Sequence, residues 1–265
     1  MPEGHTIRRL ARSHARRFAR HEVAVSSPQG RFTQGAALVD GRVLRRVDAH
    51  GKHLFHVYED DLVVHVHLGL YGKFSLVAVP DEEPVPEPVG QVRMRMVGTT
   101  HFADLRGATA CEVLTEGEVE TLRARLGPDP LRDDADPEQA WRRISKSRSP
   151  IATLLMDQSV IAGVGNVYRA EVLYRQGLDP LMEGRTLGRM RFDAMWDDLV
   201  LLLRDGVRRG SIRTLRPEDV QRGRRPVYVY RRAGEACLQC GTEVARSTHV
   251  ARNLFWCPVC QNSAG

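Results

Sequence analysis

Cys237-Leu-Gln-Cys240 and Cys257-Pro-Val-Cys260 form the strongest local pattern in the chain. The two CxxC pairs are separated by 16 residues, a spacing typical of four-thiolate zinc sites. Two disulfide bonds are the alternative interpretation, but disulfides are rare in cytosolic proteins. The pattern therefore predicts a C-terminal zinc finger with one structural zinc ion, because four protein thiolates leave no open coordination position.

The chain between these cysteine pairs is polar and basic. Arg246, His249, Arg252 and Asn253 lie on what the pattern predicts as a short hairpin. A hairpin held at its base by a metal site is a rigid support. We therefore expect its tip to present Arg252 to a phosphate group, since arginine suits the binding of phosphate oxygens.

The composition is that of a basic globular protein. The 265 residues carry 39 Lys and Arg against 33 Asp and Glu, with a net charge of +6 and a pI of about 9.3. Arginine clusters in residues 1–20 and 204–232, which favours contact with a polyanion. No stretch is long and apolar enough for a membrane span, and the arginine-rich start lacks the apolar core of a secretion signal. We therefore expect a cytoplasmic protein without a membrane segment.

Lysine is rare in this arginine-rich chain. Only Lys52, Lys73 and Lys146 occur. A genome rich in G and C favours arginine codons and is the simpler cause. A lysine retained against that bias still suggests a position that needs a compact or titratable cation, which arginine does not provide.

The first half of the chain combines one helix with many strands. Apolar residues near helical spacing predict an amphipathic helix over residues 3–19, and residues 22–113 consist of short β-type runs separated by turns. The alternation over 62–68 is typical of a half-buried strand. Gly51-Lys52 lies between two such runs and predicts a hairpin turn or the start of a strand. The acidic, proline-rich residues 80–90 predict an exposed loop.

The second half of the chain is helical in pattern. Residues 118–209 show helical periodicity interrupted by proline and glycine, and the longest helix is predicted at 188–209. The change in texture predicts an α+β multidomain protein. Its parts are a β-rich domain at 1–115, a helical domain at 118–222 and the cysteine-bearing tail at 227–265.

Ile161-Ala-Gly-Val-Gly-Asn166 comes directly before a helix predicted at 167–176. Backbone N–H groups at such a helix start form an anion pocket. A plain glycine turn between core helices is the simpler alternative.

His67-Leu-Gly-Leu70-Tyr71-Gly72 suggests a loop tip that displays two large side chains. The alternative is that Leu70 and Tyr71 pack down onto the protein. His65 and His67 share a strand face, but a structural role is favoured over metal binding because no carboxylate lies at matching spacing. The fifth cysteine, Cys111, is expected to be a buried structural thiol in a strand.

The chain begins Met-Pro-Glu-Gly. A small second residue permits removal of the initiator methionine, which would leave Pro2 as a secondary amine beside the carboxyl group of Glu3. An α-amine has an ordinary pKa of about 7.7–8.0, so a useful fraction is neutral and nucleophilic near pH 7. Pro2 and Glu3 are therefore candidates for a nucleophile and its acid–base partner.

Six motifs, in order along the whole chain, resemble the formamidopyrimidine-DNA glycosylase and endonuclease VIII family of bacterial base-excision repair enzymes. The resemblance implies an N-terminal β-sandwich with flanking helices, a helix–two-turn–helix domain and a zinc finger, with DNA held in a cleft between the two halves. The motifs are Pro2-Glu3-Gly4, Gly51-Lys52, His67-Leu-Gly-Leu-Tyr-Gly72, Leu126-Gly-Pro-Asp-Pro-Leu131, Ile161-Ala-Gly-Val-Gly-Asn166 with Glu171, and Arg252-Asn-Leu-Phe-Trp-Cys257.

The resemblance also implies a bifunctional DNA glycosylase and abasic-site lyase. Pro2 would attack C1′ of the damaged nucleotide to form a Schiff base, and Glu3 would act as acid and base before β,δ-elimination. Lys52 would contact a DNA phosphate and support catalysis. Asn166 and Arg252 would hold the phosphates that flank the lesion.

The implied partner is double-stranded DNA containing oxidised bases or abasic sites. Leu70 and Tyr71 would fill the gap left when the damaged nucleotide is flipped out. Zinc is the one cofactor that the resemblance implies, and the protein is expected to be a monomer.

Two branches of the family differ in the lesions they remove. Gly4, the Leu70-Tyr71 pair and the short segment 210–228 favour the branch that removes oxidised pyrimidines. Thr6 departs from that branch, which has Glu at this position, so His5 or a water would have to replace the carboxylate. The alternatives are an oxidised-purine glycosylase of the same family, a catalytically weak damaged-DNA-binding protein, and a metal-dependent nuclease, for which no carboxylate–histidine cluster is evident.

Overall fold

The computed structural model describes residues 2–79, 84–220, 223, 225–249 and 252–262. The chain divides into two compact units, Met1–Arg125 and Leu126–Gly265. The finer division into three domains stays a prediction. Among the described residues, no helix is long and apolar enough to cross a membrane.

In the described residues of the first unit there are three α-helices, one short 3₁₀ helix (Glu59–Asp61) and eight strands. Its elements are α1 (Gly4–Phe18), β1 (Glu22–Ser26), α2 (Thr33–Val39), β2 (Arg42–His50), β3 (His53–Tyr58), β4 (Leu62–His67), β5 (Lys73–Ala78), β6 (Met94–Val97), β7 (His101–Arg106), β8 (Ala110–Thr115) and α3 (Glu116–Ala124).

The eight strands form an antiparallel sheet in the order β5-β7-β6-β1-β2-β3-β4-β8. Strands from both ends of this order supply one hydrophobic core: Met94 and Leu105 pack in the same cluster as Leu54 and Val66. The sheet therefore folds over on itself into a β-sandwich, as the family resemblance implies.

Strand β4 differs from the half-buried strand that its alternation predicts. Val63 and Val64 are both buried, although they point to opposite faces. Val64 faces the sandwich core, whereas Val63 packs in a second cluster with Phe55 and with Val119 of α3. The helix covers the face that the pattern assigned to solvent, so the expectation of half-burial was wrong.

Helix α1 matches the predicted helix over 3–19 within one residue at each end. Its apolar face, with Ile7, Ala11 and Phe18 buried, packs on strands β2 and β3. The helix thus fixes the start of the chain relative to the β2–β3 hairpin. Cys111 is buried in β8, as expected.

The predicted exposed loop at 80–90 is only partly covered by the structure. Residues 80–83 lie outside the described residues. Residues 84–90 have no regular secondary structure, and Val89 is exposed.

The second unit combines helices with a short hairpin. Its elements are α4 (Pro137–Ile144), α5 (Ile151–Leu154), α6 (Asn166–Arg175), α7 (Arg189–Arg209), β9 (Ala245–His249) and β10 (Arg252–Trp256). Helix α7 is the longest, as predicted, and it packs against α6 in the helical core.

The β9–β10 hairpin is attached to this helical core through two neighbouring residues of β10. Leu254 belongs to the cluster built by α6 and α7, whereas Phe255 packs with Tyr174 and Tyr228 on the other side. Successive side chains of a strand point to opposite faces, so both faces of β10 are held. The hairpin and α6 consequently form one packed body.

Candidate functional site

The first candidate residues lie at the start of α1. Glu3 directly precedes the helix, and its carbonyl oxygen accepts hydrogen bonds from the N–H groups of Thr6 (2.9 Å) and Ile7 (3.4 Å). The whole Glu3 residue is buried, and Pro2 before it is half-buried. The acidic residue beside Pro2 is therefore enclosed by the protein, and its role as an acid–base partner stays a prediction.

His5 and Thr6 follow in the first turn of α1. His5 Nε2 lies 3.2 Å from Thr6 Oγ1. Burial lowers the pKa of His5 to about 4, so its imidazole is neutral at neutral pH. The hypothesis that His5 or a water replaces the carboxylate missing at Thr6 stays a prediction.

Lys52 lies in the turn between β2 and β3, as predicted. His50 ends β2, His53 begins β3, and these two residues form the last pair of the hairpin register. Gly51 has a φ of +56°, a left-handed conformation that favours glycine. The half-buried Lys52 is therefore presented at the end of a tight hairpin.

Leu70 and Tyr71 lie in a turn after β4 and are displayed on the surface of their unit. Tyr71 is 87% exposed and Leu70 is 40% exposed, so the alternative that both pack down was wrong. The Gly72 N–H donates to Leu68 O (2.9 Å) and closes the turn. A Cβ at Gly72 would lie 2.2 Å from that oxygen, so a side chain would break the turn.

His65 has a carboxylate partner from a strand that is distant in the sequence. Glu112 of β8 is its direct partner in the β4–β8 register, and His65 Nδ1 lies 2.9 Å from Glu112 Oε1. The structural role of His65 was expected, but its carboxylate partner was missed because the pairing joins strands far apart in the sequence. Among the described residues, these histidines are not part of a cluster with metal-binding geometry.

Asn166 begins α6 in the second unit and contacts the cysteine-bearing hairpin. Its Nδ2 donates to the carbonyl oxygen of Asn253 (3.0 Å), the neighbour of Arg252 in β10. Arg169, one turn along α6, donates to Asn166 Oδ1 and to Asn253 O (3.1 Å). The structure therefore brings Asn166 and the strand that carries Arg252 together, although 86 positions separate the two residues in the sequence.

The glycine segment before α6 is hydrogen-bonded to the side chain of Gln158. Gln158 accepts a hydrogen bond from the Gly163 N–H (3.0 Å) and donates to Val164 O (3.0 Å). The segment is thus held by a side chain as well as by its own backbone. Whether an anion binds at this helix start stays a prediction.

Glu171 of α6 has a role that the sequence motif alone does not reveal. Its buried carboxylate accepts backbone N–H bonds from Tyr228 (2.7 Å), Val229 (2.9 Å) and Tyr230 (2.8 Å), and a further bond from the hydroxyl of Thr214. It thereby fixes two distant stretches of chain to α6. The sequence motif includes Glu171, but its hydrogen-bond partners could not be identified from the sequence because they lie 43 to 59 positions further along the chain.

Four cysteine side chains converge at the base of the hairpin. Their sulfur atoms all lie within 4.8 Å of one another, with 3.8 Å between Cys237 and Cys260 and 3.5 Å between Cys240 and Cys257. A disulfide needs about 2.05 Å, so the alternative of two disulfides does not fit. The thiol of Cys237 also lies 3.1 Å from the hydroxyl of Tyr174. The four sulfurs form a donor set for a single metal ion.

Comparison with protein-family models matches both units. Residues 1–111 match the N-terminal domain of formamidopyrimidine-DNA glycosylase, and residues 126–216 match the helix–two-turn–helix (H2TH) domain of the same enzyme.

Relatives of known name support the same family. The chain is 58% identical to "Endonuclease 8 1" of Mycobacterium tuberculosis over 267 aligned residues, which cover 98% of this chain and all of the relative. It is 32% identical to formamidopyrimidine-DNA glycosylase of Chloroflexus aggregans over 230 residues, which cover 85% of this chain and 83% of the relative.

A solved structure shares the fold. The Fpg protein of Lactococcus lactis, crystallised with DNA containing an abasic site, has a TM-score of 0.82 at 22% identity and covers 98% of this chain and all of its own. The two family models and the identity over nearly the whole chain lead to one conclusion: this chain belongs to the formamidopyrimidine-DNA glycosylase and endonuclease 8 family of bifunctional DNA glycosylases and abasic-site lyases.

Proposed function

We propose that this chain removes oxidised bases from double-stranded DNA, preferring pyrimidines, and cleaves the resulting abasic site through a Schiff base on Pro2. The observation that carries the proposal is the position of Pro2 directly before the fully buried Glu3 at the start of α1. An amine at this position is held by a helix that packs on two strands, so it needs no further ordering before it reacts.

The amine of Pro2, once methionine has been removed, attacks C1′ of the damaged nucleotide. The bond between C1′ and the base breaks, and the base leaves with a proton. Opening of the sugar ring then gives an iminium ion between Pro2 and C1′, which makes the C2′ protons acidic. Loss of one such proton expels the 3′ phosphate, a second elimination expels the 5′ phosphate, and hydrolysis of the iminium restores the amine.

Glu3 is the proposed acid and base in these steps. It would donate a proton to the ring oxygen O4′ and take up protons in the later eliminations. Its burial supports this role, because a low-dielectric environment strengthens the effect of a carboxyl group on nearby charge and excludes competing water.

Lys52, Asn166 and Arg252 are the proposed contacts to the DNA backbone. Lys52 is presented at the tip of the β2–β3 hairpin, which suits a compact cation for a phosphate. One amide hydrogen of Asn166 bonds Asn253 O, which leaves the second hydrogen of Nδ2 as a donor for a phosphate oxygen.

Leu70 and Tyr71 are the proposed wedge that fills the gap in the duplex after base flipping. Unstacking a base costs a few kcal/mol, which a large apolar or aromatic side chain inserted in the stack offsets in part. The high exposure of Tyr71 supports the role, because an exposed aromatic ring on a tight turn contributes nothing to its own core.

One zinc ion is the proposed occupant of the four-cysteine site. Zinc–sulfur bonds of 2.3 Å in a tetrahedron put neighbouring sulfurs about 3.8 Å apart. The observed separations of 3.8 and 3.5 Å fit that geometry. When bound, zinc supplies a structural cross-link rather than catalysis, because four thiolates fill its coordination. Cys237 and Cys260 would thereby fix the hairpin that carries Arg252.

The preference for oxidised pyrimidines rests on the similarity to the mycobacterial protein named endonuclease 8, which extends over the whole of that relative. The same family includes formamidopyrimidine-DNA glycosylases, at lower identity to this chain. Cleavage rates on duplexes containing thymine glycol, dihydrouracil or 8-oxoguanine distinguish the branches. If 8-oxoguanine paired with cytosine were cleaved faster than thymine glycol or dihydrouracil, the assignment would be reversed.

The mechanism itself is tested by borohydride trapping on a duplex with one abasic site. Reduction of the iminium yields a covalent protein–DNA adduct for the wild-type chain and none for Pro2→Gly. Glu3→Gln is the matched variant: it should bind the duplex with unchanged salt dependence but cleave at least 100-fold more slowly. Binding without any adduct in the wild-type protein would favour a catalytically weak damaged-DNA-binding protein.

The cytoplasmic location and the monomeric state stay predictions. Sedimentation of the purified protein, alone and with a lesion-containing duplex, tests the monomer and its one-to-one complex.

A further inference from the structure

Three side chains beside the Lys52 turn are hydrogen-bonded in series. His53, the residue after Lys52, has its Nδ1 atom 2.9 Å from Nε2 of His65, and His65 has its Nδ1 atom 2.9 Å from Oε1 of Glu112. Glu112 lies directly opposite His65 in the β4–β8 register, and His53 lies diagonally across β3–β4. The series therefore links the turn that contains Lys52, at the start of β3, through β4 to β8.

The middle of this series is enclosed and its end is open. His65 is buried, and the ring of Phe55 stacks on it at a centroid distance of 5.4 Å. The side chain of Glu112 is 53% exposed. An exposed carboxylate that orders a buried imidazole can be replaced without opening a cavity in the core, which makes the series accessible to experiment.

The hydrogen atoms in this series follow from the acceptor at its end. A carboxylate has no hydrogen to give, so His65 Nδ1–H donates to Glu112. A neutral His65 then has a lone pair on Nε2, and His53 Nδ1–H must donate to it. The Nε2 atom of His53 is left as an acceptor. The neutral histidine side chain in water favours the opposite form, with hydrogen on Nε2, so Glu112 selects the less common tautomer.

His67 reaches the same form by a separate route. The hydroxyl of Thr109 donates to the carbonyl oxygen of His67 (3.0 Å), so its oxygen accepts from His67 Nδ1, 2.9 Å away. The rings of His53 and His67 lie 5.0 Å apart. Burial, the largest cause, lowers the pKa of His53 to about 3, and the charge of Lys52 acts in the same direction, so this ring is uncharged at neutral pH.

We infer that Glu112 and His65 are positioning residues for Lys52: they hold His53 as an oriented, neutral acceptor at the lysine turn. The inference rests on the proposed role of Lys52 in contacting DNA. Because His53 is hydrogen-bonded through His65 to Glu112, the strand that follows the turn is fixed, and Lys52 is held in one position. The neutral His53 also adds no second positive charge that would compete with Lys52 for the same phosphate. Misplacement of a catalytic group by about 1 Å costs up to about 100-fold in rate.

The first test does not depend on activity. Long-range ¹H–¹⁵N correlation spectra of the histidine rings at pH 8.5 distinguish the two neutral tautomers. Hydrogen on Nδ1 is expected for His53, His65 and His67. In Glu112→Ala, His53 and His65 should shift towards hydrogen on Nε2, whereas His67 should not change. Hydrogen on Nε2 of His53 in the wild-type protein would overturn the inference.

The second test measures strand cleavage of an abasic duplex at pH 8. Glu112→Ala should lower kcat about tenfold with little change in KM. Glu112→Gln should stay within twofold of wild type, because its amide oxygen still accepts from His65. Glu120→Ala, which removes an exposed carboxylate from α3 of the same unit, is the matched control and should not change kcat.

A double-mutant cycle separates positioning from general damage. If Glu112 acts through Lys52, Glu112→Ala should cost nothing more in a Lys52→Ala background. Additive losses, or a loss of kcat matched by Glu120→Ala, would overturn the inference. Failure of the wild-type protein to cleave or to be trapped would instead refute the proposed function, while the tautomer spectra would still test the hydrogen-bonded series.

Discussion

Acid should destabilise the first unit through a buried pair of histidines. His14 of α1 and His56 of β3 are both fully buried, with His14 Nδ1 2.9 Å from His56 Nε2. The rings of Phe18 and Phe74 lie close to perpendicular to the ring of His14. Burial lowers the pKa of His14 to about 4 and that of His56 well below its ordinary value, so both rings are neutral in the folded protein.

The size of the effect follows from linkage between proton binding and folding. In the unfolded chain His14 binds a proton with a pKa of about 6.5, whereas in the folded protein its pKa is about 4. The stabilisation is therefore present above pH 6.5 and is lost as the pH falls towards 4. Between pH 7 and pH 5, His14 alone lowers the free energy of unfolding by about 2 kcal/mol. His56 changes it in the same direction.

Urea unfolding at pH 7 and pH 5 measures this loss. Far-UV circular dichroism follows both units, whereas tryptophan fluorescence follows the second unit, because Trp141, Trp196 and Trp256 all lie there. His14→Gln should reduce the pH dependence by about 2 kcal/mol, since an amide can bond His56 but does not titrate in this range. His21→Gln, at an exposed position, is the control.

The test compares how much the free energy of unfolding changes between pH 7 and pH 5 in each variant. A variant that is less stable at both pH values therefore remains informative. Equal pH dependence in wild type and His14→Gln would refute the reasoning. A reduced slope in His21→Gln of the same size would refute it as well, because it would show that burial of the ring is irrelevant.

Three other perturbations have directions that the structure determines. Glu171→Gln should lower the free energy of unfolding of the second unit by about 3 kcal/mol. The amide NH₂ of the glutamine would face backbone N–H groups, and a donor cannot accept a hydrogen bond from another donor. Chemical denaturation followed by tryptophan fluorescence measures the loss. Removal of the metal with a chelator should release one zinc ion per chain and make the β9–β10 hairpin sensitive to protease, and Cys260→Ser should behave in the same way. A rate of proteolysis that does not change on chelation would contradict a structural metal. Tyr71→Ala should change the melting temperature by no more than about 1 °C, because the ring is exposed. It should slow base excision from duplex DNA more than from single-stranded DNA. An equal decrease for both substrates would argue against a wedge.

Features encoded within a few residues could be predicted from the sequence. The cysteine spacing, the periodicity of α1 and α7, and the glycine-bearing turn at Lys52 each depend on neighbours along the chain, and the structure contains all of them. The turn that displays Tyr71 belongs to the same class, since Gly72 closes it by contact with Leu68.

Features that depend on register or on distant partners could not be predicted in the same way. The pairing of His65 with Glu112 is set by which strand lies next to β4, and nothing local to either residue encodes that choice. The burial of both faces of β4 depends on α3, because Val119 of that helix packs in one cluster with Val63 of β4 although 56 positions separate them in the sequence. The three N–H donors of Glu171 come from a stretch that has no secondary-structure pattern of its own.

The two attachment points of Glu171 have a consequence for how this protein can diverge. Thr214 on one side and Tyr228 on the other are bonded to the same carboxylate, so the chain between them, residues 215–227, starts and ends at fixed places on α6. Lengthening a segment whose ends are already pinned costs only a slowly growing closure entropy. Insertions or deletions between these two anchors should therefore be tolerated by the rest of the molecule, which would let evolution or an engineer exchange this stretch as a cassette.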